Sequence, residues 1–262
     1  MSSIGSAVPS KLVSLKVFEP DTQLFRIRFT PCGSVLCGAA MDGCVKRWRF
    51  SEPEGFVLPD ASETKSKKPT QAHGLDEIPA WDGFSGWVQA FAMHPSRTEA
   101  IAADSFGNLR CANVLSEKPS IQWSVDAAHD GWVRALAYTP DGTKAVSGGR
   151  DGRLRFWDAS TGKPIGERNL GADLYAVAFS DDGSRVAVAD ARAKSHLVDA
   201  STLEPSKSYP VEDGQHILAA GSKPASGGFV EALPRIIPVS VADGSIGESW
   251  KISTGKDGFV LD

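Results

Sequence analysis

The chain of 262 residues is defined first by what it lacks. No apolar run approaches the roughly 18 residues that a membrane-crossing helix needs. No segment sustains an i, i+3, i+4, i+7 apolar pattern, which argues against a helical fold. The only dense basic cluster is Lys65–Lys68 in a polar stretch, and the net charge is −4. Nucleic-acid binders carry a basic footprint, so nucleic acid is not an expected partner. The four cysteines, at 32, 37, 44 and 111, include no Cys-x-x-Cys pair. A zinc ribbon and a c-type haem are therefore not expected, and neither is any other metal or cofactor. Reduced, mostly buried thiols in a cytoplasmic protein are the expectation. The opening MSSIGSAVPSKLVSL has neither the charged start nor the apolar core of a signal peptide. No catalytic motif is present. His73, His94, His196 and His216 share no spacing and read as surface or loop residues.

What is there is a repeat. From Ala128 to Asp158 the chain reads AHDGWVRALAYTPDGTKAVSGGRDGRLRFWD. A His is followed by an apolar run, a Pro-Asp-Gly turn, a second apolar run, an Asp-Gly turn and a Trp-Asp end. Short β-rich runs broken by turn residues have the form of antiparallel strands. The unit recurs at a period of roughly 40 residues, the signature of a repeat architecture. Pro31-Cys32-Gly33, Asp42-Gly43 and Trp48 mark one copy. Met93-His94-Pro95, Phe106-Gly107 and Ala112-Asn113 mark another. Asp181-Asp182-Gly183 and Val198-Asp199 mark a fourth, and Asp243-Gly244 with Trp250 a poorer fifth. Residues 1–10 read as a lead-in and Lys11–Phe18 as an orphan strand. Residues 51–81 hold an insertion whose first part could still be an outer strand and whose remainder, around 59–81, reads as a polar exposed loop. Residues 211–235 read as irregular, within a degenerate last unit at 211–262.

The repeat resembles the WD40 repeat, and the chain is similar to bacterial WD-repeat β-propeller proteins over roughly residues 11–262, most closely at 22–50 and 86–200. The resemblance implies an all-β propeller of four-stranded antiparallel blades, about five of them recognisable. WD40 propellers commonly have more, so the chain reads as a truncated copy, an open ring, a smaller ring, or half of an assembly. An open ring would leave strand edges that two chains could pair as a homodimer. In blade three the family's structural tetrad falls on His129, Ser147, Asp151 and Trp157, a hydrogen-bonded chain in that family. The tetrad Asp position is Phe106 in blade two and Arg192 in blade four, so most blades are expected to rely on apolar packing and ladder hydrogen bonds.

The family's top surface around the central channel falls on Phe25, Trp87, Trp132, Arg134, Arg150 and Tyr175. Gln23, Met41, Gln89, Ser105, Asp173 and Ala191 are the remaining members of that ring. Trp87 and Trp132 share a Gly-Trp-Val motif, and the set is rich in residue types that dominate interface hot spots. Two functions are open. One is a non-catalytic scaffold that binds a protein or peptide through the top face and loops. The other is a propeller enzyme, a metal-dependent hydrolase or lactonase, which would need metal ligands converging on the channel. The aligned channel positions are mostly Gln, Phe, Ala, Leu and Arg, which favours the scaffold.

Overall fold

A computed structural model describes residues 20–51, 74–192, 194–210, 227–232, 235–240 and 250–251. The lead-in, the Lys11–Phe18 strand, Lys65–Lys68, His73, His216 and Asp243-Gly244 lie outside the described residues. Among the described residues every regular element is a strand. No helix there is long and apolar enough to cross a membrane.

Four sheets follow one another in chain order, each of four antiparallel strands. The first holds β1 (Leu24–Phe29), β2 (Val35–Ala40), β3 (Val45–Ser51) and β4 (Gly74–Trp81). The second holds β5 (Val88–Met93), β6 (Glu99–Asp104), β7 (Leu109–Asn113) and β8 (Ser120–Val125). The third holds β9 (Val133–Tyr138), β10 (Lys144–Gly149), β11 (Arg153–Asp158) and β12 (Pro164–Asn169). The fourth holds β13 (Leu174–Phe179), β14 (Arg185–Asp190), β15 (Lys194–Asp199) and β16 (Pro205–Pro210). A three-stranded sheet of β17 (Gly227–Ala232), β18 (Arg235–Ser240) and β19 (Trp250–Lys251) comes last. The innermost strands stand side by side: β1 against β5, β5 against β9, and β9 against β13.

The core lies between blades. One cluster joins Val35, Val45 and Trp81 of blade one to Val88, Phe91 and Ala100 of blade two. A second joins Ile101, Leu109 and Trp123 of blade two to Val133, Ala145 and Trp157 of blade three. A third joins Val146, Leu154 and Phe156 to Leu174, Val177 and Val188. A strand covered on both faces has no reason to alternate, so β2, Val-Leu-Cys-Gly-Ala-Ala, is buried throughout. The outer β12, Pro-Ile-Gly-Glu-Arg-Asn, faces solvent along most of its length.

Two stretches differ from the sequence reading. Residues 74–81 are not loop: they form β4, the outer strand of blade one, and pair with β3 from Val45↔Trp81 to Ser51↔Gly74. Asp76, Glu77 and Pro79 are exposed, as an edge strand allows, and that polarity hides the strand in the sequence. Trp81 anchors it at 2 % exposure. Likewise β17 lies within residues that read as irregular, paired with β18 from Gly227↔Ser240 to Ala232↔Arg235.

Arg47 on β3 is fully buried between blades one and two. Its guanidinium donates to the carbonyl oxygens of Pro79 (2.7 Å from Nε), Val114 (2.6 Å), Ser116 (2.8 Å) and Glu117 (2.9 Å). Carbonyl dipoles rather than a carboxylate satisfy this charge, and they tie the strand to the outer edge of the next blade.

Candidate functional site

Each innermost strand carries a β-bulge near its start. The register jumps between Leu24 and Arg26, between Val88 and Ala90, and between Leu174 and Ala176. In blade three it jumps from Gly148↔Ala135 to Gly149↔Val133. The extra residues are Phe25, Gln89, Arg134 and Tyr175. A bulge re-aims the side chain it carries, and here four successive blades each place one at the same end of the innermost strand. The residue two positions before each bulge is pinned to the neighbouring turn. Met41 N–H donates to Gln23 O (2.9 Å), Ser105 to Trp87 O (2.9 Å), Arg150 to Trp132 O (2.8 Å) and Ala191 to Asp173 O (2.8 Å).

These residues form one stack across four blades. Phe25 lies on Trp87 with centroids 6.3 Å apart and planes at 28°. Trp87 meets Trp132 at 5.6 Å. The Arg134 guanidinium sits 4.8 Å from the Trp132 ring and 4.7 Å from the Tyr175 ring, a cation between two aromatic faces. Its Nε donates to both carboxylate oxygens of Asp173 at 3.1 Å. Burial raises the Asp173 carboxyl above its ordinary value, although the charges of Arg134 and Arg150 partly oppose this. The structure thus brings together five of the six top-face residues read from the sequence. The sixth, Arg150, joins through its backbone and its charge, and its side chain is exposed. The Trp rings do pack across neighbouring blades, yet Trp87 keeps 39 % of its surface open.

In blade three, Trp157 Nε1–H donates to Ser147 Oγ (2.8 Å), which lies 2.6 Å from His129 Nε2. His129 Nδ1 is 2.9 Å from Asp151 Oδ1. A carboxylate only accepts, so Nδ1 carries a proton toward Asp151. Burial by itself would raise the Asp151 carboxyl. The hydrogen bond and charge of His129, with the backbone N–H groups of Arg153 and Asp130, outweigh burial and hold it at about 2.

The expectation that the other blades lack such a clasp is corrected by Asp104 and Asp190. Both are buried at the end of the second strand, two residues before the position sequence alignment pointed to. Asp104 accepts from the N–H groups of Phe106 (2.9 Å), Asn108 (3.0 Å) and Ser85 (3.1 Å). Asp190 accepts from Arg192 N–H (2.8 Å) and Lys194 N–H (2.9 Å), and its other oxygen meets His196 Nε2 at 2.9 Å. His196 is therefore no surface residue: it is buried and reaches Ser208 Oγ at 2.9 Å through Nδ1. His94 is buried too, its Nδ1 accepting from Arg97 N–H at 3.0 Å. The repeated Ala-Asp before the turn, at 103–104 and 189–190, is the signal that would have revealed the two aspartates. Among the described residues no three His, Cys, Asp or Glu side chains converge to hold a metal ion.

A WD40 family model, described as "WD domain, G-beta repeat", matches residues 122–158. The mitotic checkpoint complex crystal structure contains a chain that superposes with a TM-score of 0.69 at 16% sequence identity. The match covers 92% of this chain and 68% of that one. The fold is that of a WD40-type propeller. No curated protein matches the chain in sequence. As many as 1604 solved chains match structurally, so the WD40-type architecture alone selects no particular role.

Proposed function

We propose that the protein is a non-catalytic interaction scaffold that binds another protein or a peptide through the top face of its propeller, in the cytoplasm. One observation carries the reading: a continuous stack of Phe25, Trp87, Trp132, Arg134 and Tyr175, contributed by four blades, that leaves Trp87 accessible. Large rings fixed in place lose little conformational freedom on binding and offer much apolar area, which is why Trp, Tyr and Arg dominate interface energetics. Four free cysteines, three of them buried, support a reducing compartment.

The test is affinity purification of partners with two variants. Trp87→Ala removes the exposed centre of the stack. Ile165→Ala removes an exposed apolar residue on the outer strand of blade three, where Ile165 is 50% exposed. Partners lost with Trp87→Ala and retained with Ile165→Ala support the top face. The reverse pattern, with both variants folded, refutes it.

A further inference from the structure

Blade four holds a second Asp–His–Ser chain, and this one ends in the open. Asp190 and His196 are buried. The N–H groups of Arg192 and Lys194 fix Asp190 Oδ1 at 2.8 and 2.9 Å, and Oδ2 lies 2.9 Å from His196 Nε2. On its other side, His196 Nδ1 lies 2.9 Å from Ser208 Oγ. The sheet register sets this contact, because His196 on β15 stands directly opposite Ser208 on β16. In blade three the same residue types are sealed: Ser147 is fully buried and its Oγ also accepts from the Trp157 indole. Ser208 is exposed on the outer strand, and among the described residues its side chain bonds to His196 alone. An ionised carboxylate only accepts, so Nε2 carries a proton toward Asp190. In the neutral ring Nδ1 is then a base aimed at an exposed hydroxyl.

We propose that Ser208 is a covalent modification site: a hydroxyl activated by His196 and Asp190 that takes an acyl group from a thioester. A serine hydroxyl is a weak nucleophile, and a base within hydrogen-bond reach, itself oriented by a third group, is what activates it. Asp190 fixes the imidazole and stabilises the charge that the ring gains. Ser208 Oγ attacks the thioester carbonyl carbon, and its proton passes to His196 Nδ1. The C–S bond breaks once the Oγ–C bond has formed, and the leaving thiolate takes the proton from Nδ1. The products are O-acyl Ser208 and a free thiol, with neutral His196 restored. A thiolate is a far weaker base than an alkoxide and leaves readily, so an exposed strand edge need supply only the nucleophile and its base. Other exposed serines lack that base. Ser206, on the same strand, donates to the Leu197 carbonyl at 3.0 Å, and Ser201 donates to Asp199 Oδ1 at 2.6 Å. A carbonyl takes no proton at neutral pH, and a carboxylate is a weaker base than imidazole. The site is independent of the top-face reading, since none of its three residues belongs to the aromatic stack.

The experiment treats the whole protein with phenyl thioacetate at neutral pH and maps acetylation residue by residue by peptide mass spectrometry. Ser208 is expected to gain the acetyl group at least about tenfold faster than Ser206 and Ser201, as general-base assistance allows. His196→Gln, with its fold verified, should bring Ser208 down to their rate. Equal rates at the three serines of the wild type, or a preference for Ser208 that survives in folded His196→Gln, overturn the proposal. Because His196 is buried, a second pair of variants tests the base without replacing it. Ser208→Cys and Ser206→Cys place exposed thiols at the two positions of the outer strand. Iodoacetamide at neutral pH should label position 208 severalfold faster than position 206, because the imidazole draws off the thiol proton. Equal labelling of the two positions would show that His196 activates nothing at this edge, and would overturn the proposal whatever becomes of His196→Gln.

Discussion

Blades two and three satisfy the same two backbone donors with an aspartate that starts from different places. In blade three, Asp151 in the turn accepts from Arg153 N–H at 3.1 Å and Asp130 N–H at 3.2 Å. In blade two the corresponding donors are Asn108 and Ser85, and the acceptor is Asp104 at the end of the strand. Blade four uses Asp190 at that same strand position. The counterpart of Asp104 in blade three is Gly149, and the reason is spatial. A Cβ on Gly149 would lie 2.3 Å from His129 Nδ1 and 2.8 Å from Asp151 Oδ1. One site can hold the strand-end carboxylate or the His–Asp pair, not both. What the fold requires is an acceptor for those N–H groups, because a buried donor left unpaired costs about 1–3 kcal/mol. The residue that supplies it is interchangeable.

The strongest way to break this comparison is to force both solutions into one blade. Gly149→Asp is expected to destabilise by about 3–5 kcal/mol, since it adds a clash and a second buried carboxylate beside Asp151. Urea midpoints measure it. Combining it with His129→Ala and Asp151→Ser vacates the space and should recover part of the loss. A triple variant no better than the single would show that the two clasps are not alternatives.

Next in size are the single deletions. Asp104→Ala and Asp151→Ala should each cost about 1–3 kcal/mol, and Asp182→Ala under about 0.5. Asp182 also accepts hydrogen bonds, from the hydroxyl groups of Ser180 and Ser184, but it is exposed and water replaces the carboxylate there. Equal midpoints for Asp104→Ala and Asp182→Ala would remove Asp104 from the clasp.

The same contrast explains what was legible in the sequence. Blade three announces itself because its polar chain is made of residues with a fixed spacing. Blades two and four hide theirs because the acceptor moved by two positions, off the spacing of blade three, and the trace it leaves in the sequence is only the repeated Ala-Asp before the turn. Arg47 is hidden for a related reason. It occupies the place of Phe156 in blade three, a core position, and nothing local predicts the carbonyl cradle built by the next blade. The ring of top-face positions follows from repeat alignment. The sandwich of Arg134 between Trp132 and Tyr175 does not, because it depends on bulges in two different blades.

A smaller effect is expected from acid. The Asp151 carboxyl is held at about 2, below the ordinary value of an unfolded chain. A depressed carboxylate stabilises the fold above its unfolded pKa, and that contribution is lost as pH falls through the folded one. Between about pH 4 and pH 2 it should account for about 2 kcal/mol. Stability curves of the wild type and Asp151→Asn should converge over that window. A constant gap down to pH 2 would mean that Asp151 is not ionised in the native clasp.

The smallest effect sharpens the comparison at a different turn. Asp141 and Asp182 each sit in a cage made by the preceding Thr or Ser hydroxyl and by the hydroxyl and N–H of the residue two positions on. Blade one builds the same cage around a thiol: Cys32 Sγ lies 3.0 Å from Ser34 Oγ and 3.4 Å from Thr30 Oγ1. Donors that suit a carboxylate also suit a thiolate, and the Ser34 and Thr30 hydrogen bonds bring the Cys32 thiol down to about 7. Burial pushes Cys37, Cys44 and Cys111 the other way, up to about 12. Iodoacetamide at neutral pH should therefore label the native protein at Cys32 alone, with a rate that rises through about pH 7. Ser34→Ala should shift that midpoint upward without changing thermal stability appreciably. Labelling that rises only near the ordinary thiol value would show that the cage does not hold sulfur as it holds oxygen, and that the turn of blade one works by shape alone.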